Sequence, residues 1–257
     1  MKISKSNYIK ILGCVAPYPT ANDNCSGYLL NIKDERILLD CGFGVCKELS
    51  FPGDLENLTI FISHFHKDHY ADIFAIAYAS YVYHDRGFLN NKIKVYIPKI
   101  NVGEECYNDY LLVKGIKDCY FDFIEYDDRS SFDLNSIKIS FFENYHSVRT
   151  YSTKLLFDNK SIVYSADMGF KNHEEFEHFS QNADIMIIES SLLESDDIYN
   201  PYHLTASQAS TIASNSRIDK LVLTHFWPEY EKNKYLEEAR KKINNVLIAE
   251  KKDVIYL

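Results

Sequence analysis

A buried strand that runs straight into a cluster of histidines constrains the fold of this chain more than any other feature. Leu58–Ser63 is a short run of apolar and β-branched residues, typical of a strand covered on both faces. The six residues HFHKDH follow it, beginning at His64. Side chains alternate in extended backbone, so His64 and His66 share a face and can hold one metal ion. Asp68 and His69 come as the chain turns into the next helix and point towards a second ion. The alternative for this segment alone is a histidine-rich surface turn.

Short apolar runs of the same kind recur along the chain and predict further strands. They are Tyr8–Leu12, Gly27–Ile32, Arg36–Leu39, Lys94–Ile97, Ile137–Phe142, Lys154–Phe157, Ser161–Ser165, Ile185–Ile188, Leu221–Thr224 and Val254–Leu257. Helical patterns fall between them, at Tyr70–Tyr83, Val102–Val113, Thr205–Ser216 and Tyr230–Ile243. Groups of strands followed by helices, repeated twice, predict an α/β fold with four αββα layers. No linker or repeat divides the sequence, so we expect one domain over residues 1–257.

Three more candidate ligands, His146, Asp167 and His225, each come just after a predicted strand. Because strand ends can converge on one rim of a sandwich, we expect these side chains to join the histidine cluster. The predicted dinuclear set places His64, His66 and His146 on one ion and Asp68, His69 and His225 on the other, with Asp167 bridging both. A structural zinc site is usually closed by four ligands, mostly cysteines, and would not need seven residues.

This ligand set resembles the metallo-β-lactamase superfamily, whose HxHxDH motif is followed by separated His, Asp and His residues. The resemblance implies an αββα sandwich with two Zn²⁺ ions, or Mn²⁺ as the alternative metal. The class B β-lactamases place a cysteine on the second metal and lack the last histidine of the first motif. Asp167 and His69 stand at those positions here, so lactam hydrolysis is disfavoured.

An acidic residue after a late strand, Glu189, and an HxT element at His203 resemble ribonuclease Z and its phosphodiester-cleaving relatives. The resemblance implies that His203 is the general acid, that Glu189 orients it, and that Asp68 accepts the proton of the attacking water. Ser147 and Thr205 are the expected substrate contacts. The alternatives are a helix-capping loop histidine for His203 and a solvated carboxylate for Glu189.

The net charge of the chain bears on which kind of phosphodiester it is expected to bind. The formal net charge is −9, and no basic, Gly/Pro-rich arm is present, so a long nucleic acid such as tRNA is a poor fit. The segments Ile11–Cys14 and Thr224–Pro228 are similar to those of phage anti-Pycsar phosphodiesterases. That similarity implies a homodimer that opens small 3′,5′-cyclic mononucleotides (cCMP, cUMP, cAMP or cGMP) to linear 5′-monophosphates and so counters host antiphage signalling. The alternatives are a ribonuclease Z-like RNA-processing nuclease and a non-catalytic nucleotide-binding module.

The remaining features bear on compartment and surface. Six cysteines form no CxxC pair and are expected to be buried thiols. Ile11–Cys14 faintly resembles a lipoprotein cleavage box but lacks the apolar run of a signal peptide, and no stretch is long enough to span a membrane. We therefore expect a cytoplasmic protein, in the host cytoplasm if phage-encoded. Asp118–Asp133 is predicted to be an acidic, aromatic excursion on the surface, and the aromatic residues from Tyr107 to Tyr126 to pack and to contact a second subunit.

Overall fold

The strands form the framework of the computed structural model, which describes residues 6–117, 119–196 and 200–257. Within these residues there are fourteen strands. They are β1 (Tyr8–Gly13), β2 (Gly27–Ile32), β3 (Glu35–Leu39), β4 (Leu58–Phe61), β5 (Ile93–Pro98), β6 (Phe121–Tyr126), β7 (Ser131–Leu134), β8 (Ile137–Glu143), β9 (Tyr151–Phe157), β10 (Lys160–Tyr164), β11 (Ile185–Glu189), β12 (Lys220–Thr224), β13 (Val246–Ile248) and β14 (Val254–Tyr256).

The helices are short and few. In the described ranges they are α1 (Lys67–Tyr70), α2 (Ile73–Asp85), α3 (Tyr107–Lys114), α4 (His173–Ser180), α5 (Ala206–Asn215) and α6 (Lys232–Ala239), with 3₁₀ turns at Cys46–Glu48, Gly53–Leu55 and Phe170–Asn172. None of these helices combines the length and the apolar character that crossing a bilayer requires.

The strands divide into two seven-stranded sheets. The first has the order β14-β1-β2-β3-β4-β5-β6, and the second has the order β13-β12-β11-β10-β9-β8-β7. In the first sheet β3, β4 and β5 are parallel, and in the second sheet β10 to β13 are parallel. The carboxyl ends of the parallel strands within each sheet therefore lie at a common edge, which is where the candidate ligands follow in the sequence.

The chain divides into two compact units. The first consists of Met1–Glu125 and Glu250–Leu257, and the second of Tyr126–Ala249. In the first unit, one apolar core joins β2 to β5 with the inner face of α2, from which Ile73, Ile76 and Ala77 are buried. The prediction of one domain over residues 1–257 stays a prediction.

The segment Asp118–Asp133 was predicted to be a surface excursion. Residues 119–133 are mostly exposed or half-buried, as expected, but they add strands to the ends of the two sheets, and Asp118 lies outside the described residues. This segment forms β6 and most of β7, and Phe121 and Tyr126 are buried. The aromatic residues were predicted to pack, and they do: Phe121 belongs to the core of the first unit, and Phe123 packs against it. Their contact with a second subunit stays a prediction.

The predicted helix over Val102–Val113 begins later than expected, at Tyr107. Gly103 and Cys106 have φ values of +90° and +66°, and this left-handed backbone prevents a right-handed helix from starting earlier. The helix predicted over Tyr70–Tyr83 corresponds to α2, which begins at Ile73, and Tyr70 is the last residue of α1. The six cysteines are free thiols, three of them buried and three half-buried.

Candidate metal centre

In the first unit, the residues after β4 bring the four ligands of the histidine motif together. The imidazole centroid of His64 lies 4.8 Å from that of His66 and 4.2 Å from that of His69. A single helical turn, α1, carries Asp68 and His69, and His69 Nε2 lies 3.8 Å from Asp68 Oδ2. His64, Asp68 and His69 are buried and His66 is half-buried. The alternative of an exposed surface turn is therefore excluded.

Asp40, a residue that the sequence analysis did not single out, positions the His69 ring and the backbone at Ser63. It follows β3 and is fully buried. Its Oδ1 accepts from the backbone N–H of Ser63 at 2.7 Å, and its Oδ2 accepts from His69 Nδ1, also at 2.7 Å. Because an ionised carboxylate only accepts, His69 Nδ1 carries the proton and Nε2 is the nitrogen available to a cation. The sequence signal that could have identified Asp40 is its position directly after a predicted strand.

In the second unit, His146, Asp167 and His225 follow β8, β10 and β12. His225 Nε2 lies 3.1 Å from Asp167 Oδ1, and His146 Nε2 lies 3.7 Å from Asp167 Oδ2. His146 Nδ1 donates to the backbone carbonyl of Tyr202 at 3.0 Å, which directs its Nε2 to the carboxylate side. The structure thus places Asp167 between two imidazoles, and its bridging of two ions stays a prediction.

The backbone takes sharp turns beside these side chains. Asp40, Ala166 and His225 have φ values of +59°, +52° and +61°, the left-handed region that residues other than glycine seldom occupy. Each such residue costs about 1–3 kcal/mol, and such strain clusters at functional sites. The three turns stand at the ends of β3, β10 and β12, where the chain leaves the sheet and displays the candidate ligands.

The donor set fits a divalent metal. Ligands about 2.0–2.1 Å from a tetrahedral zinc ion lie roughly 3.3 Å apart. The separations between carboxylate oxygens and imidazole Nε2 atoms within each unit are 3.1–3.8 Å, close to that value. Imidazole and carboxylate ligands suit zinc, manganese and similar cations.

Glu189, the last residue of β11, holds His203 beside this cluster. Its side chain is 1% exposed, which excludes the solvated carboxylate. Its Oε1 accepts from His203 Nδ1 at 2.9 Å and from Met168 N at 3.1 Å. The ligating atoms of His203, Asp167 and His225 lie within 4.8 Å of one another. His203 can therefore bind a cation or exchange a proton with a ligand at this cluster.

Thr205 is fixed two residues after His203. Its hydroxyl accepts from the backbone N–H of Gln208 at 3.1 Å, and its own N–H donates to the Gln208 side chain at 3.0 Å. This capping box begins α5, as the predicted cap at Thr205 required. Ser147 is exposed, and the predicted contacts of Ser147 and Thr205 with substrate stay predictions.

His203 and Thr205 lie in the wall of a cavity of about 630 Å³ in the second unit. The wall also contains Tyr145, Phe170 and Lys171. Lys171 Nζ stands 4.7 Å from the centre of the Tyr145 ring, within the range of a cation–π interaction. The cavity thus combines a basic group, aromatic surface and the Glu189-bound histidine.

Curated relatives match almost the whole chain. The probable metallo-hydrolase YhfI of Bacillus subtilis is 27% identical over 239 residues, which cover 92% of this chain and 93% of the relative. Ribonuclease Z of Thermococcus sibiricus is 25% identical over 275 residues, which cover 90% of this chain and 89% of the relative.

Solved structures are also similar to this chain over nearly its whole length. The crystal structure of the metallo-β-lactamase fold protein YhfI from Bacillus subtilis has a TM-score of 0.88 at 25% identity and covers 98% of this chain and 100% of that one. Human tRNase Z, short form, has a TM-score of 0.71 at 20% identity, with 96% and 98% covered. These likenesses confirm the predicted fold class, a mixed α/β two-sheet sandwich of the metallo-β-lactamase fold.

The model of the beta-lactamase superfamily domain family matches residues 35–226, well over half of the chain. The match contains the histidine motif, both carboxylates Asp167 and Glu189, and His225. The chain therefore belongs to the beta-lactamase superfamily and is a metallo-hydrolase related to YhfI and to ribonuclease Z.

Proposed function

We propose that this metallo-hydrolase is a phosphodiesterase that opens 3′,5′-cyclic mononucleotides to linear 5′-monophosphates. The observation that carries the proposal is the hydrogen-bonded pair of buried Glu189 and half-buried His203, with His203 within 4.8 Å of ligating atoms of Asp167 and His225. The seven ligands predicted from the sequence would hold two divalent cations, with Zn²⁺ expected and Mn²⁺ as the alternative. Such a pair of cations, when bound, neutralises phosphoryl oxygens and lowers the pKa of the attacking water.

The leaving group explains why a phosphodiesterase needs His203. The ribose 3′-oxygen is a poor leaving group unless it receives a proton, and a positioned acid contributes about 10²–10⁴-fold to such a step. His203 Nδ1 is hydrogen-bonded to Glu189, so Nε2 is the nitrogen that would deliver the proton. The buried negative charge of Glu189 stabilises the protonated imidazole. On the other side of the reaction, Asp68 is proposed to accept the proton of the attacking water.

The cavity supports a small substrate. Pockets for small ligands commonly measure about 300–1,000 Å³, and the cavity beside His203 holds about 630 Å³. Lys171 supplies a positive charge for a phosphate, and Tyr145 and Phe170 supply aromatic surface for a base. Thr205 and Ser147 are proposed as further substrate contacts. The net charge of −9 opposes binding of a long polyanion.

A ribonuclease Z-like nuclease is the second candidate, because relatives with that name are about 25% identical over about 90% of the chain. The two functions differ in what must be bound. A nuclease has to attract many phosphates, whereas a cyclic mononucleotide presents one charge and needs only a cavity of about 630 Å³ such as the one beside His203. The homodimer and the role against host antiphage signalling, both implied by the resemblance to anti-Pycsar enzymes, are part of the proposal, as is a cytoplasmic location.

Product analysis tests the proposal. The purified protein is incubated with each of cCMP, cUMP, cAMP and cGMP, and separately with a precursor tRNA, in Zn²⁺ or Mn²⁺, and the products are separated by chromatography. Linear 5′-monophosphates support the proposal, a shortened RNA supports the nuclease, and unchanged substrates indicate a binding module. The Asp167→Asn variant is the control for contaminating activity. Sedimentation at micromolar concentration tests the homodimer, and a monomer alone would count against it.

A further inference from the structure

A buried serine in the second unit lies between a proposed metal ligand and the Glu189 carboxylate. Ser191 Oγ is 2.9 Å from His225 Nδ1 and 2.9 Å from Glu189 Oε2. The backbone N–H of Ser191 donates to the same Oε2 at 3.1 Å. Glu189 therefore reaches two imidazoles, His203 directly and His225 through this hydroxyl.

The direction in which the Ser191 hydroxyl donates its proton determines which ring nitrogen of His225 is protonated. An ionised carboxylate only accepts hydrogen bonds, so Ser191 donates its proton to Glu189. Its oxygen is then the acceptor for His225, and His225 Nδ1 has to carry a proton. The opposite arrangement would bring two acceptor oxygens within 2.9 Å of each other with no proton between them, inside the protein.

The first unit repeats this arrangement. Ser63 Oγ lies 2.8 Å from Asp40 Oδ2 and 3.0 Å from His64 Nδ1, and the backbone N–H of Ser63 donates to Asp40 at 2.7 Å. The carboxylate again holds a second imidazole directly, that of His69. Two separate parts of the chain thus use a serine in the same way.

We propose that Ser191 and Ser63 are positioning residues that fix the Nδ1–H tautomer of His225 and of His64, so that Nε2 of each ring is presented to a metal. This inference rests on the metal-ligand roles proposed above. Free histidine in water favours the Nε2–H tautomer, which cannot bind a cation through Nε2. Loss of either serine hydroxyl therefore removes the bond that selects the binding-competent form.

Ser190 supplies a matched control. Ser190 is fully buried, and among the described residues its hydroxyl is seen to donate to the backbone carbonyl of Thr224, at 3.2 Å. Ser191→Ala and Ser190→Ala remove the same atom from adjacent positions. Ser191→Thr keeps the hydroxyl and tests for rescue.

The experiment measures tautomers and zinc affinity on the full chain, without nucleotide. Long-range ¹H–¹⁵N correlation spectra of histidine-labelled protein, with zinc and after chelator treatment, report which ring nitrogen carries the proton, and His225→Gln assigns the resonance. Zinc affinity is measured by competition with a chromophoric chelator. We expect the Nδ1–H form for His225 and His64 in the wild type. Ser191→Ala should lose about 10–100-fold in zinc affinity and acquire the Nε2–H form, whereas Ser190→Ala and Ser191→Thr should resemble the wild type.

An Nε2–H signal for wild-type His225 would overturn the inference, and this spectrum decides even if Ser191→Ala does not fold. Wild-type tautomer and zinc affinity in a folded Ser191→Ala protein would also overturn it. A protein with the expected tautomers and zinc affinity that hydrolyses no cyclic nucleotide would refute the proposed function and leave this inference standing. Absence of zinc binding would refute both.

Discussion

Replacing His203 with alanine should remove one step of the proposed reaction and leave the metal ligands in place. His203 Nδ1 lies 2.9 Å from Glu189 Oε1, and its side chain is 19% exposed where it meets the cavity. Loss of a general acid costs about 10²–10⁴-fold in turnover, which corresponds to roughly 2.7–5.4 kcal/mol of activation free energy at about 1.36 kcal/mol per tenfold. Glu189 keeps its bonds from Met168 and Ser191, so the fold and the metal content should change little.

The leaving group provides the sharpest assay. A ribose alkoxide needs the proton, whereas p-nitrophenolate leaves without one, since its conjugate acid is far stronger than a sugar hydroxyl. His203→Ala should therefore lose about 10²–10⁴-fold with a cyclic mononucleotide, but much less with bis(p-nitrophenyl) phosphate. His178→Ala is the matched control, because His178 is exposed on α4. Equal losses with both substrates would refute proton donation and point to His203 as a metal ligand, which elemental analysis would show as lost metal.

Three further changes have defined outcomes. Asp167→Ala should lose metal by elemental analysis, because this carboxylate faces two imidazoles at 3.1 and 3.7 Å; retention of the full metal content would contradict its role. Lys171→Gln should raise KM for a cyclic nucleotide on the order of tenfold with kcat little changed, as loss of about 1.4 kcal/mol of phosphate binding requires, whereas Lys160→Gln, exposed at the start of β10, should not. Burial raises the pKa of the Cys46 and Cys106 thiols to about 11, so at pH 8 about 10⁻³ of each is thiolate, against about a quarter of an ordinary thiol. Iodoacetamide should modify these two cysteines on the order of a hundredfold more slowly in the native protein than in urea, as measured by peptide mass spectrometry, and equal rates would show that the thiols are accessible and unperturbed.

The sequence was most informative where burial was complete. Strands β2 and β4 are buried along their whole length, so their apolar runs stood out. By contrast, β7 is half exposed and β13 has only three residues, which leaves almost no periodic signal. Helix α4 was missed because its sequence, HEEFEHFS, is mostly polar and buries only Phe176 and Ser180.

Candidate ligands could be identified because several histidines and aspartates follow predicted strands. The orienting roles of Asp40 and Ser191 could not be predicted. Asp40 looks like any carboxylate after a strand, and its partners Ser63 and His69 lie 23 and 29 positions further along the chain. Ser191 is the second of two consecutive serines after β11, and its bonds to Glu189 and His225, seen in the structure, distinguish it from Ser190.

The left-handed turn at Ala166 has a consequence for how this protein can be changed. A glycine there would relieve the Cβ crowding that alanine suffers at φ +52°. It would also lower the free energy of unfolding by about 0.4–1 kcal/mol, because glycine gives the unfolded chain more conformational entropy. The strain relieved, about 1–3 kcal/mol, is at least as large as this loss, so Ala166→Gly should leave the free energy of unfolding unchanged or raise it. Alanine restricts the backbone at residue 166 more than glycine does, and it therefore limits the directions in which the neighbouring Asp167 side chain can point. A screen for thermal stability alone would therefore accept Ala166→Gly. It would not detect a loss of activity caused by the freer backbone beside Asp167.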